Sequence, residues 1–377
     1  MNTYNNAQNS NNGNTNALLN TISNIIASMR ADDDQLNLTE AHDTLSPKAI
    51  EKLTVEEARL QPTVADAVWS LLMAQGRSTL PEALVPGVRS KDILIDGAEG
   101  PLPARMYTPQ FIMGLRSTVS CPIVLYFHGG GWVLADKNVY DAGARGICKE
   151  AGAIVVSVDY RQAPEHKFPA AWDDAFAAYK WTLDNAAALG GNVERIALAG
   201  ESAGGNLAVA TAVAVREAGI RRPVHVLSIY PVAQTSLNTE SYLENAIAKP
   251  LNRAMMAWFV ENLIRTEADL SDTRLNLIEA DLRGLPPVTI INAWLDPLRS
   301  DGSKLEDALN EANVSVERRS YDGVAHEFFG AAAVLQKARD AQAYAGERLR
   351  EAFATAGNIN QGKFLDHREP ALAEQDD

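Results

Sequence analysis

Cysteine is almost absent: the chain of 377 residues has two, Cys121 and Cys148. Two thiols cannot make a disulfide scaffold, and no Cys/His cluster has the spacing of a zinc site, so no metal ligand set is expected. Both lie in or beside apolar runs, where a buried, inert thiol is the expected state. Basic charge is also short, with 34 Lys+Arg against 48 Asp+Glu and a formal net charge of −14. Nucleic acid and anionic membrane surfaces need a basic face, so neither is an expected partner. No apolar run approaches the ~18 residues of a membrane span. The first basic residue is Arg30, and Asn20, Ser23 and Asn24 interrupt the partly apolar run 17–29. A secretory signal needs a positive start and a continuous apolar stretch, so a cytoplasmic location is the expectation. There is no internal repeat.

What is present reads as a globular chain, 46% hydrophobic and 22% charged. Residues 1–16 hold eight asparagines and read as a disordered tail. Leu18, Leu19, Ile22, Ile25, Ile26 and Met29 recur at helical spacing. An acidic linker with Asp32, Asp33 and Asp34 is expected next. Ser46-Pro47 then reads as a helix start, Thr54 with Glu57 as a capping box, and 62–75 as a third amphipathic helix. From about residue 91 the pattern changes. Segments 91–96 and 102–108 read as a strand pair. Short apolar runs at 123–127, 153–158, 195–199, 224–230, 288–293 and 314–321 then alternate with helical stretches near 140–151, 170–188, 203–217, 252–265 and 300–312. A last helix is expected over 331–354. This alternation predicts an α/β chain with a mostly parallel sheet covered on both faces. Ligand sites in such sheets lie beyond the carboxyl ends of the strands.

Two motifs fall at such ends. After the run 195–199 comes Gly200-Glu201-Ser202-Ala203-Gly204, a Gly-x-Ser-x-Gly opening a helix. By chance the pattern appears in roughly one chain in twelve of this composition, so its strand-to-helix context carries the weight. Such a turn holds a serine in strained backbone at the sheet tip, over the positive end of a helix. The alternative is a plain turn with a capping serine. After the run 123–127 comes His128-Gly129-Gly130-Gly131-Trp132. Chance gives that in roughly one chain in six hundred, and a glycine run exposes backbone N–H groups suited to an oxyanion hole. A flexible loop or a phosphate cradle is the alternative, although the Lys-Ser/Thr or Gly-x-Gly-x-x-Gly pattern of a cradle is missing.

A serine nucleophile needs a base. Of six histidines, His42 and His367 lie in terminal polar segments, His128 belongs to the glycine motif, His166 follows Pro164-Glu165, and His225 is inside a strand-like run. His326 follows the last strand in a loop, where the site is expected. The acid that orients it should fall between Ser202 and His326 in the chain. Asp296, directly after a strand, is preferred to Asp301, Asp322 and Glu327. Asp301 better suits a helix N-terminus, and the other two lie too near His326 in sequence.

Five stretches now resemble the hormone-sensitive-lipase branch of the α/β-hydrolases: 128–132, 158–171, 200–205, Asp296-Pro297-Leu298-Arg299, and His326. They run in order across about 90–355. The resemblance implies an eight-stranded, mostly parallel sheet and a Ser202-His326-Asp296 triad. It implies an oxyanion hole from the N–H groups of Gly130, Gly131 and Ala203, with His128, Gly129, Trp132 and Glu201 as motif support. Asp159, Arg161 and Glu165 are expected to hold loops. Two positions depart from the pattern: Glu201 stands where many members have Asp or Thr, and Glu327-Phe328-Phe329 replaces a Gly-Phe. The implied organisation is a tail (1–16), a helical cap (17–85), a catalytic domain (86–357) with a second cap segment (233–262) carrying Met255, Met256, Trp258 and Phe259, and a polar tail (358–377). The implied activity is hydrolysis of short- to medium-chain acyl esters, a small-molecule ester being the partner and a homodimer left open. No cofactor is required. An amidase or peptidase with the same triad, and a non-catalytic receptor of the same fold, are the rival readings.

Overall fold

The computed structural model describes residues 30–110 and 120–365. The expected helix at 17–29 and both expected tails lie outside them, apart from 358–365. One eight-stranded sheet organises the chain, in the order β1-β2-β4-β3-β5-β6-β7-β8. The strands are β1 (Val88–Gly97), β2 (Gly100–Pro109), β3 (Cys121–Phe127), β4 (Ile154–Val158), β5 (Gly191–Glu201), β6 (Val226–Ile229), β7 (Val288–Leu295) and β8 (Val316–Ala325). β1, β2 and β4 pair antiparallel, and the pairs from β4 through β3 to β8 are parallel.

The helices are α1 (Asp33–Thr44), α2 (Val55–Ala58), α3 (Val64–Ala74), α4 (Pro81–Leu84), α5 (Asp141–Ala151), α6 (Ala170–Asn185), α7 (Ala203–Glu217), α8 (Glu240–Glu244), α9 (Arg253–Leu263), α10 (Arg299–Glu311) and α11 (Gln336–Leu365). Side chains alternate between faces at a period of two along a strand. Ile123, Leu125 and Phe127 of β3 accordingly join one core, with Ala175 of α6, Leu207 of α7 and Leu305 of α10. Val124 and Tyr126 join the opposite core, with Ile147 of α5 and Ala345 and Leu349 of α11. Strands buried on both faces explain the unbroken apolar runs in the sequence. Burying each Val, Leu, Ile or Phe side chain stabilises by about 1.5–3 kcal/mol.

Three expectations change. Asp33 and Asp34 are not linker but the first turn of α1, where carboxylates complement the positive end of the helix. Ser46-Pro47 starts no helix: Ser46 has φ 57°, and only a short 3₁₀ turn forms, at Ile50–Lys52. The last helix, expected over 331–354, begins at Gln336 after a 3₁₀ turn at Phe328–Ala331 and runs to Leu365. The capping box of Thr54 and Glu57 forms as expected. Among the described residues no helix is long and apolar enough to cross a membrane.

Candidate active site

Strand register brings the site together. Phe127 pairs with Gly200, so the turn after β3 lies beside the turn after β5. Leu295 pairs with Ala325, so Asp296 and His326 leave adjacent strands side by side. All four turns are at the carboxyl ends of parallel strands.

Ser202 caps α7 with φ 58° and ψ −115°, a conformation that a non-glycine residue keeps only when its surroundings impose it. The Ser202 N–H donates to the Ile229 carbonyl at 2.8 Å. A Cβ at Gly200 would land on the Gly204 carbonyl, and one at Gly204 on the Phe127 carbonyl, so the sharp turn requires both glycines. Ser202 Oγ lies 3.0 Å from His326 Nε2, and His326 Nδ1 lies 2.7 Å from Asp296 Oδ2. A carboxylate only accepts, so the imidazole proton sits on Nδ1 and the Nε2 lone pair faces the serine. Asp296 is fully buried, and its other oxygen accepts the Leu298 N–H at 2.8 Å. Burial works to lower the His326 pKa, but the charge of Asp296 and its hydrogen bond outweigh that and raise it above the ordinary value. An imidazole so placed can take the serine proton and remain stabilised when charged.

Gly130 and Gly131 have φ 97° and 60° and line the same cavity as Ser202. Ala203 opens α7, where first-turn N–H groups have no partner within the helix. Neighbours fix the glycine loop. His128 stacks on Tyr160 at 4.4 Å, and the Tyr160 hydroxyl donates to the His128 carbonyl at 2.8 Å. Burial lowers the His128 pKa, so this ring is a neutral structural element. Gly129 packs its bare Cα against the Tyr140 ring, and buried Trp132 lies 5.0 Å from Trp172. Asp159 binds Lys137 at 2.6 Å, Arg161 binds Asp174 at 2.8 Å, and Glu165 binds Arg59 at 2.6 Å. Arg59 also donates to the carbonyls of Val133 and Ala163, tying α2's end to the loop.

Glu201 points away from the serine into the second core. Its two oxygens accept from the hydroxyls of Tyr126 and Tyr230, and burial raises its pKa to about 7. Tyr230 in turn packs its ring 4.5 Å from that of His326. The rival acids take other places. Asp301 accepts from Ala233 N–H and Gln234, Asp322 is exposed, and Glu327 accepts from Tyr140 at 3.1 Å. Gln35 was not anticipated: buried in α1, it accepts the N–H of Ala325, the residue before His326, at 3.1 Å. Nothing local marks a glutamine whose partner lies so far along the chain. The serine, histidine and glycine loop open into a cavity of about 580 Å³, also lined by Ile50, Leu251, Met255, Met256 and Phe259, the last packed against Gly131. No group of three or more acidic, His or Cys side chains that could hold a metal ion occurs among the described residues.

A family profile described as the alpha/beta hydrolase fold matches residues 124–330. Carboxylesterase NlhH of Mycobacterium tuberculosis is 39% identical over 285 residues, covering 74% of this chain and 88% of the relative. Esterase LipI of the same organism is 38% identical over 259 residues, covering 68% and 80%. A hyperthermophilic esterase from the archaeon Pyrobaculum calidifontis superposes with a TM-score of 0.72 at 35% identity, covering 80% of this chain and 94% of that one. The chain therefore belongs to the α/β-hydrolases, in their hormone-sensitive-lipase-like branch. Its activity is that of a carboxylic ester hydrolase.

Proposed function

We propose that the chain hydrolyses short- to medium-chain acyl esters through an acyl-enzyme on Ser202. His326 takes the hydroxyl proton as Ser202 Oγ attacks the ester carbonyl. Asp296 holds the imidazole in its tautomer and stabilises the charged ring. The N–H groups of Gly130, Gly131 and Ala203 receive the negative oxygen of the tetrahedral intermediate, each such donor contributing about 3 kcal/mol to the transition state. His326 then returns the proton to the leaving alcohol, and water cleaves the acyl-enzyme by the same steps.

The observation that carries this reading is the unbroken Ser202–His326–Asp296 hydrogen-bond chain at the floor of a largely apolar cavity. The same proposal treats the N-terminal helices and 233–262 as a cap over residues 86–357. Its support is the ties between those two segments: Trp258 donates to the Leu53 carbonyl at 3.3 Å, and Lys249 pairs with Asp43 at 2.6 Å. Replacing Ser202 by Ala tests the assignment. Hydrolysis of p-nitrophenyl butyrate is expected to vanish with the thermal melt unchanged, and near-wild-type turnover refutes it.

A further inference from the structure

A second cavity, of about 400 Å³, lies beside the one that holds Ser202 and His326. Apolar side chains such as Val68 and Trp69 from α3 and Leu84 from α4 make up most of its wall, and charged side chains, among them Lys149, Glu150 and Asp340, complete it. Three residues line both cavities: Val64, Val139 and Glu327. The two cavities therefore adjoin at two small aliphatic residues and one acidic one.

Glu327 is held in place from two directions. Its backbone is left-handed, with φ 65° and ψ 8°, and its Oε1 accepts from the Tyr140 hydroxyl at 3.1 Å. Tyr140 is itself buried against Gly129. An alkyl chain extending from the serine toward the second cavity has to pass the residues that line both, and this carboxylate is the polar one among them. Stripping water from a carboxyl oxygen without a new partner is unfavourable, which opposes the passage of an alkyl chain.

We propose that Glu327 determines chain-length specificity by closing the passage between the cavities, and that the second cavity takes the end of a longer alkyl chain once that side chain is gone. This rests on the reading of Ser202 and His326 as the reacting pair.

Glu327→Gly tests it, because a positive φ suits glycine and the turn is kept. The measured quantity is the kcat/KM of p-nitrophenyl decanoate divided by that of p-nitrophenyl butyrate, within each protein. Both esters share one leaving group, so any change in the charge of His326 cancels in the ratio. The ratio is expected to rise by about tenfold or more. Burying one methylene is worth about fourfold, so this needs fewer than two newly buried groups. Adding Ala65→Trp, which fills only the second cavity, is expected to return the ratio toward the wild-type value. Tyr140→Phe, which removes the anchor of Glu327, provides the same reading should the glycine variant not fold, its ratio rising in the same direction. A ratio unmoved by opening the passage, or a gain that survives Ala65→Trp, overturns the inference. If wild-type protein still hydrolyses the butyrate ester and Ser202→Ala does not, that failure leaves the esterase reading standing. Full turnover by Ser202→Ala overturns both.

Discussion

Asp296→Asn tests whether the carboxylate acts by fixing the imidazole tautomer. The two oxygens of Asp296 have different partners: one accepts the Leu298 N–H at 2.8 Å, the other faces His326 Nδ1 at 2.7 Å. The site is fully buried, with no solvent to rescue a mismatched group. An asparagine has one acceptor oxygen and one donor NH₂. Turning the NH₂ toward Leu298 would set two donors against each other, so the oxygen stays there and the NH₂ faces His326. The ring must then accept at Nδ1 and carry its proton on Nε2, where it cannot take the proton of Ser202. A wrong-tautomer change of this kind lowers kcat by about 10⁴-fold in a serine-protease triad. That corresponds to about 5.5 kcal/mol of barrier. The assay is kcat for p-nitrophenyl butyrate at pH 8, with KM and the thermal melt compared alongside. The expected result is a loss of that order in kcat at nearly constant KM. A loss smaller than about tenfold in a folded variant refutes the tautomer argument.

Two further outcomes follow from the same geometry. Only neutral His326 can act as base, so kcat/KM should fall as pH drops through its pKa. Asp296 raises that value, so the midpoint should lie above the unperturbed ~6.5, and an acid limb below about 6 contradicts the assignment. Gly204→Ala drives a Cβ onto the backbone carbonyls of Phe127 and His128, which cannot swing aside as a side chain would. A destabilisation of about 1–3 kcal/mol is expected, seen as a melting temperature several degrees lower, and an unchanged melt refutes the close packing of the turn on β3.

The sequence marked Ser202, His326, Asp296 and the glycine loop because each follows a strand and carries chemistry that its residue type announces. It marked the sheet because strands buried on both faces must be apolar throughout. Local rules also located the capping box at Thr54. They failed at Asp33 and Asp34, where acidic composition read as linker although the same charges favour a helix start. They were silent on Gln35, on the tyrosines that grip Glu201, and on Glu327 as a residue shared by two cavities.

By itself, then, the sequence determined which residue types stand at the strand ends and which segments must be buried, since periodicity and turn chemistry act over a few residues. The tertiary structure decided distances, charge states and the shape of the space above the serine. Those depend on register between strands and on partners hundreds of positions apart. The Asp296 carboxylate beside His326, the buried Glu201 between two tyrosines and the hydrogen bond from Tyr140 to Glu327 exist only once β3, β5, β7 and β8 are aligned.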